Sequence, residues 1–210
     1  MSSPAQEAAL TKWLAEGRRG MGQIAIDAGD DGLFALTHRD DASHRHLAVH
    51  TRAEDAEELA RFDDVGNYRA LKTAPNLRHG WRLTLTSVSE VHMALDLFYP
   101  GRLAAFFAWE KETLEVTPLR DTLARQTGMY RVAAKIGEDE ANALIGNFCR
   151  SDGGCLRTIL WPRDKGGTIA STILPPEKFD PQHDQTIPLL CQEACNLLVA
   201  EARKIVKGDL

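Results

Sequence analysis

Apolar residues recur at helical spacing in the first stretch of the chain. Ala9, Leu10, Trp13 and Leu14 share one face of a helix over residues 5–18, which Gly20 and Gly22 end. The pattern then shortens. Gln23-Ile24-Ala25-Ile26 and Leu33-Phe34-Ala35-Leu36 read as strands, and the glycine- and aspartate-rich link Ala28–Gly32 between them is a hairpin signal. Leu47–His50 reads as a third strand, and the acidic, alanine-rich residues 53–62 as a helix. Tyr68–Leu71 and Trp81–Leu85 read as short strands around the Thr73-Ala74-Pro75-Asn76 turn. Residues 88–98 and 102–111 are helical, split at Tyr99-Pro100-Gly101, where proline and glycine force a break. Leu114–Val116 follows as a possible strand, then helices over 118–126 and 138–148. Leu156–Pro162 is strand-like and stopped by its proline, and residues 188–207 form a proline-started helix.

These elements predict an α+β fold, with an N-terminal mixed sheet and helices followed by a mostly helical part. The boundary falls near Thr117, so residues 1–116 are expected to form one domain and 117–210 another. The stretch 163–181 reads as a long excursion. With 43% hydrophobic and 26% charged residues the composition is that of an ordinary soluble globular protein. The net charge of −5 argues against a nucleic-acid binder. No run reaches the ~18 apolar residues of a membrane helix. Met1–Ala15 is polar and has no apolar core of a signal peptide, so a reducing cytoplasm is the expected setting.

The four cysteines lie in the last third of the chain, as Cys149-x5-Cys155 and Cys191-x3-Cys195, with 35 residues between the pairs. Cys149 falls at or just past a helix end, and Gly153-Gly154 allows the backbone to turn tightly before Cys155. On a helix, Cys191 and Cys195 would present two sulfurs one turn apart near an N-terminus that favours negative charge. Four thiolates in two pairs, flanked by apolar residues, suit a cubane [4Fe–4S] cluster. Structural zinc, two disulfides and four unliganded thiols are the alternatives. Zinc sites mostly use closer pairs, and a reducing setting disfavours disulfides.

Other groups invite chemistry less clearly. Lys72, Arg78 and His79 surround the Pro75 turn, with Arg82 close behind, and Arg102 begins a helix after Gly101. Arginine grips carboxylates bidentately, so an anion site is one reading and a solvated loop the other. His38, His44, His46 and His50 crowd one stretch, with His44 and His46 alternating as on a strand, but a metal role needs converging side chains. Tyr130 and Arg131 could line a cluster or simply pack. Arg150, Arg157 and Arg163 could raise a cluster's potential, dock an acidic redox partner or be solvated. No nucleophile elbow, phosphate loop, dinucleotide fingerprint or zinc-protease motif is present, and no catalytic residue is assigned.

The cysteine array resembles the cluster signature of sirohaem-dependent sulfite and nitrite reductases, although nothing else of those enzymes is present. Over most of the chain, the sequence is similar to the [4Fe–4S]-binding domain fused to, or standing beside, sirohydrochlorin cobaltochelatases of the cobalamin pathway. The similarity runs through Tyr68-Arg69-Ala70-Leu71-Lys72-Thr73-Ala74-Pro75-Asn76-Leu77-Arg78-His79-Gly80-Trp81, Ala94–Gly101, Gln126–Tyr130 and the four cysteines. The chelatase domain itself is not among these 210 residues. The resemblance implies a [4Fe–4S] cluster on Cys149, Cys155, Cys191 and Cys195 and one-electron transfer in tetrapyrrole or cobalamin biosynthesis. It also implies a chelatase or other redox protein as partner. Residues 1–116 would be a stabilising or substrate-side domain. Lys72, Arg78, His79 and Arg102 would then meet the carboxylates of a tetrapyrrole. The alternative is a non-catalytic module whose cluster is structural or redox-sensing.

Overall fold

The computed structural model describes residues 4–17, 19–41, 43–44, 46–115, 117–124, 130–149, 155–159, 161–162, 168–169 and 186–208. The chain is α+β and divides into two units. The first contains Met1–Thr113 and Asp180–Leu189, the second Leu114–Phe179 and Leu190–Leu210.

In the first unit, strands β1 (Gly20–Met21), β2 (Ile24–Ala28), β3 (Phe34–His38), β4 (Ala48–His50) and β5 (Trp81–Leu85) form one mixed sheet in the order β1-β2-β3-β5-β4. The expected hairpin is β2–β3, antiparallel with Ile26 opposite Leu36. β3 pairs antiparallel with β5, and β4 runs parallel to β5. A parallel neighbour needs a long crossover, and the chain between β4 and β5 supplies it with α2 (Asp55–Arg61) and a long loop. Along β5, Trp81, Leu83 and Leu85 are buried while Arg82 is exposed, the alternation of a sheet with one apolar face.

That face meets α3 (Val88–Phe98), whose Phe98 ring stacks on Trp81 at 5.1 Å between centroids. The start of α3 is fixed by Ser87, whose Oγ accepts the Glu90 N–H at 3.2 Å. Glu90 in turn accepts the Thr86 N–H at 2.7 Å. α3 also packs against α1 (Pro4–Ala15), α2 and α4 (Arg102–Glu110). The break at Tyr99-Pro100-Gly101 occurs as expected, with Gly101 in the left-handed region at φ 71°. Tyr99 is buried and accepts the Gln23 N–H at 2.9 Å, and burial pushes its phenol up to about 12. Gly22 sits close by. A Cβ there would fall 2.9 Å from the Tyr99 hydroxyl and from Leu189, so only glycine fits. Ile187 bridges to Met21, so this late segment belongs to the first unit rather than with the residues after 117.

Three sequence expectations need correction here. Tyr68–Leu71 is no strand; a single bridge joins Tyr68 to Phe62, because the buried Arg69 turns the following backbone onto its guanidinium. Leu114–Glu115 is not strand either, and Val116 lies outside the described residues. His44 and His46 lie ahead of β4, in a turn that follows a 3-10 segment at Arg39–Asp41, and do not alternate on a strand.

The second unit is mostly helical. α5 (Leu119–Ala124), α6 (Tyr130–Ala133), α7 (Glu138–Leu144) and α8 (Asn196–Lys207) pack together around Leu123, Ile136, Ile145, Leu198 and Ala202. α7 continues into a π-helical turn at Ile145–Cys149. Two short ladders accompany the helices, β6 (Arg157–Ile159) with β9 (Leu189–Cys191), and β7 (Trp161–Pro162) with β8 (Thr168–Ile169). The expected helix over 188–207 is therefore shorter. Pro188 does not start it; pairing with β6 draws Leu189–Cys191 into a strand, and the helix begins only after Cys195. Arg150–Gly154 and most of the 163–181 excursion lie outside the described residues.

Candidate metal centre

None of the four cysteines is in a disulfide, and each is presented by a different local device. Cys149 closes the π turn after α7; such a turn widens a helix by one residue and recurs at functional sites. Cys155 leads into β6. Cys191 ends β9, and because β9 pairs with β6 the two halves of the array are tied through one ladder. Cys195 is the N-cap of α8, its Sγ accepting the Leu198 N–H at 3.5 Å. The two sulfurs of the second pair thus do not share a helix face. They sit on either side of the turn Gln192-Glu193-Ala194, and only Cys195 uses the helix N-terminus.

The sulfurs converge electrostatically. Burial first, and then the neighbouring Cys191, Cys195 and Cys155, push the Cys149 thiol up to about 12. Cys149 and Cys191 belong to the hydrophobic core of this unit, with Cys195 packed against it. Arg157 enters from β6, its Nη1 3.0 Å from Cys191 Sγ and 3.7 Å from a Glu193 carboxylate oxygen. Burial works against the guanidinium's charge, but Cys191, Cys155 and Glu193 raise its pKa above the ordinary value. Cys191 Sγ also accepts the Glu193 N–H at 3.5 Å.

Cys149, buried beside the other three sulfurs, resists losing its proton unless cationic charge lies among them. Iron ions supply that charge, and N–H···S contacts with a nearby guanidinium are the outer-shell features that support and tune a cluster. The donor set therefore fits a [4Fe–4S] group on Cys149, Cys155, Cys191 and Cys195.

The expected anion residues each have local partners of their own. Lys72 Nζ donates to the Ala60 carbonyl at 3.0 Å, and burial followed by Arg69 and Arg61 lowers its pKa. The Arg78 carbonyl accepts from the Trp81 indole at 2.7 Å. His79 faces carboxylates, with Nδ1 3.4 Å from Asp41 and Nε2 3.6 Å from Asp64. Arg102 is buried, its Nε on the Pro100 carbonyl at 3.2 Å. The cation that organises the Tyr68–Trp81 segment is one the sequence reading passed over. Arg69 is 3% exposed, and its guanidinium binds Asn76 Oδ1 and the carbonyls of Ala60, Lys72 and Ala74 at 2.8–3.1 Å. The only hint in the sequence was its place between apolar neighbours ahead of a proline turn.

An α+β unit joined to a helical unit that gathers four thiols, with a partly buried arginine on Cys191, has the donor set of an iron–sulfur protein. Comparison with known families agrees: residues 111–204 match the 4Fe-4S iron-sulfur cluster binding domain. Residues 6–110, half of the chain, match the DR2241 stabilising domain, and the chain belongs to that family. Among solved structures it is similar to DR2241 from Deinococcus radiodurans, described as a multi-domain protein with structural similarity to chelatases and two additional novel domains. That likeness has a TM-score of 0.74 at 26% identity and covers 97% of this chain but 42% of the other. No curated protein matches the sequence. Among the described residues no helix is long and apolar enough to cross a membrane.

Proposed function

We propose that this chain is a cytoplasmic one-electron carrier serving tetrapyrrole chemistry, beside a chelatase of the cobalamin pathway. The observation that carries the reading is the clustering of Cys155, Cys191 and Cys195 about Cys149, with the partly buried Arg157 on Cys191. When bound, a [4Fe–4S] cluster supplies a one-electron couple, and ligation by four thiolates leaves no open iron for Lewis-acid work. The protein's part is to hold the four sulfurs, keep water from Cys149 and Cys191, and place positive charge at Cys191. That charge favours the reduced, more negative state. The chelatase likeness of DR2241 supports a sirohydrochlorin cobaltochelatase as partner, with the tetrapyrrole as the shared ligand.

A second reading has its own support. Cys149 and Cys191 lie inside the hydrophobic core, so a cluster there could be structural or redox-sensing, with the first unit docking a chelatase or tetrapyrrole. An anaerobic redox titration separates the two. Reversible reduction with retained fold is expected of the carrier, whereas reduction only on unfolding would overturn it. Association with a purified cobaltochelatase, read by light scattering or calorimetry, tests the partner.

A further inference from the structure

His38, at the end of β3, is fully buried, and Asp41, three residues on in the 3-10 segment, is 3% exposed. His79, from the turn before β5, reaches the same point, so that three atoms, one ring nitrogen from each histidine and an Asp41 oxygen, all lie within 4.8 Å of one another. The imidazole centroids are 3.9 Å apart, tilted by 51°. We propose that His38, Asp41 and His79 form a second metal site, for one divalent first-row transition ion such as Zn²⁺ or Co²⁺.

The spacing suits an ion. Two atoms each ~2.0–2.1 Å from a tetrahedral zinc lie about 3.4 Å apart, and His79 Nδ1 is 3.4 Å from Asp41 Oδ1. His38 and Asp41 are also in the protonation states a metal needs. Burial, then His79, lowers the pKa of His38, so its imidazole is neutral near pH 7. Burial works to raise the pKa of Asp41, but the Gly80 N–H, the His44 hydrogen bond and His79 hold it below the ordinary value. Two imidazoles and one carboxylate select borderline transition ions over Mg²⁺ or Ca²⁺, which prefer oxygen alone.

Supporting groups stand behind His79 and Asp41. Asp64 lies 3.6 Å from His79 Nε2, the carboxylate–histidine pairing that orients a ligating ring. The Gly80 N–H holds the other Asp41 oxygen at 2.6 Å. Two contacts compete with the ion. The Asp40 N–H points at His38 Nδ1 at 3.2 Å, and His44 shares Asp41 Oδ1 at 3.0 Å. A metal on those atoms replaces both. The His79 side chain is 43% exposed, which opens a path from solvent, and three protein ligands leave a coordination position for water or an exchanging group.

The test loads the full chain with its cluster, titrates Zn²⁺ by calorimetry and reads the zinc K-edge spectrum. One zinc per chain is expected, with nitrogen and oxygen neighbours at ~2.0–2.1 Å and no sulfur at ~2.3 Å. Asp64→Asn should weaken binding roughly 10-fold, and His79→Ala by more than the roughly 100-fold upper range of such outer-shell changes. Iron and sulfide content should not change in either. His79→Gln repeats the test with a bulkier side chain. Sulfur neighbours at zinc, affinity unchanged in both His79 variants, or no zinc bound would each overturn the proposal. The result is independent of the cluster's redox role, because none of these residues is a cysteine.

Discussion

Replacing Arg69 by methionine removes the guanidinium that four acceptors share. Its Nε donates to Asn76 Oδ1 at 3.0 Å, Nη1 to the Ala60 carbonyl at 3.1 Å, and Nη2 to the Lys72 and Ala74 carbonyls at 2.9 and 2.8 Å. Hydrogen bonds to a charged group contribute about 1.5–3 kcal/mol each, which sets a ceiling near 6–12 kcal/mol. Burying the guanidinium opposes this by several kcal/mol, and burial accordingly leads the lowering of its pKa. The net loss expected for Arg69→Met is about 3–5 kcal/mol, the range for removing one partner from a buried charged network. At about 2–4 °C per kcal/mol for a chain of this size, the melting point should fall by roughly 10 °C. Arg69→Lys keeps the charge but cannot span four acceptors with one ammonium, so it should recover only part of the loss. Urea unfolding followed by circular dichroism, with the slope compared between variants, reads both. A loss under about 1 kcal/mol for Arg69→Met, or a lysine variant as stable as the parent, would refute the idea that these bonds hold the loop.

Three other consequences can be checked. Arg157→Met removes a positive charge at the cysteine site; at an effective separation of about 6 Å and a dielectric of about 20 the interaction is about 3 kcal/mol, so the reduction potential should fall by on the order of 100 mV in a protein-film titration. His92 is buried, with no hydrogen-bond partner for Nε2 among the described residues, and burial outweighs Asp96 and Glu7 to lower its pKa from 6.5. As pH falls below that value the unfolded chain takes a proton that the folded chain refuses, so stability drops; His92→Leu should shrink the loss measured between about pH 7.5 and 5.5 by urea titration, and an unchanged loss would count against it. Ser87→Ala deletes the α3 cap and should cost about 1 kcal/mol in the same assay, while Ser87→Asp should not.

What the sequence made legible follows from locality. The helices α1, α3 and α4 and the β2–β3 hairpin are encoded within windows of a few turns, by apolar spacing, the Pro100-Gly101 break and the Gly/Asp link. The cysteine array was legible as candidate chemistry because residue type and spacing favour a four-thiolate metal site, with the family resemblance pointing to the cluster. Its geometry was not. Whether Leu189–Cys191 is helix or strand depends on pairing with Arg157–Ile159, about thirty positions away, and a run of leucines satisfies either period. The same limit hid the meeting of His38 with His79, which rests on β3 lying beside β5 in the sheet. Arg69 was missed for a different reason: a charged residue reads as exposed, and only tertiary structure reveals four oxygens turned toward it.

The most direct measurement is iron, acid-labile sulfide, zinc and the reduced-state EPR spectrum of the chain purified without oxygen, set beside Cys191→Ser. About four iron and four sulfide per chain are expected, with an S = 1/2 signal on reduction, and Cys191→Ser should lose most of both. Stoichiometric zinc on the cysteines with no sulfide, or full iron and sulfide in Cys191→Ser, would contradict a cluster held by these four thiolates.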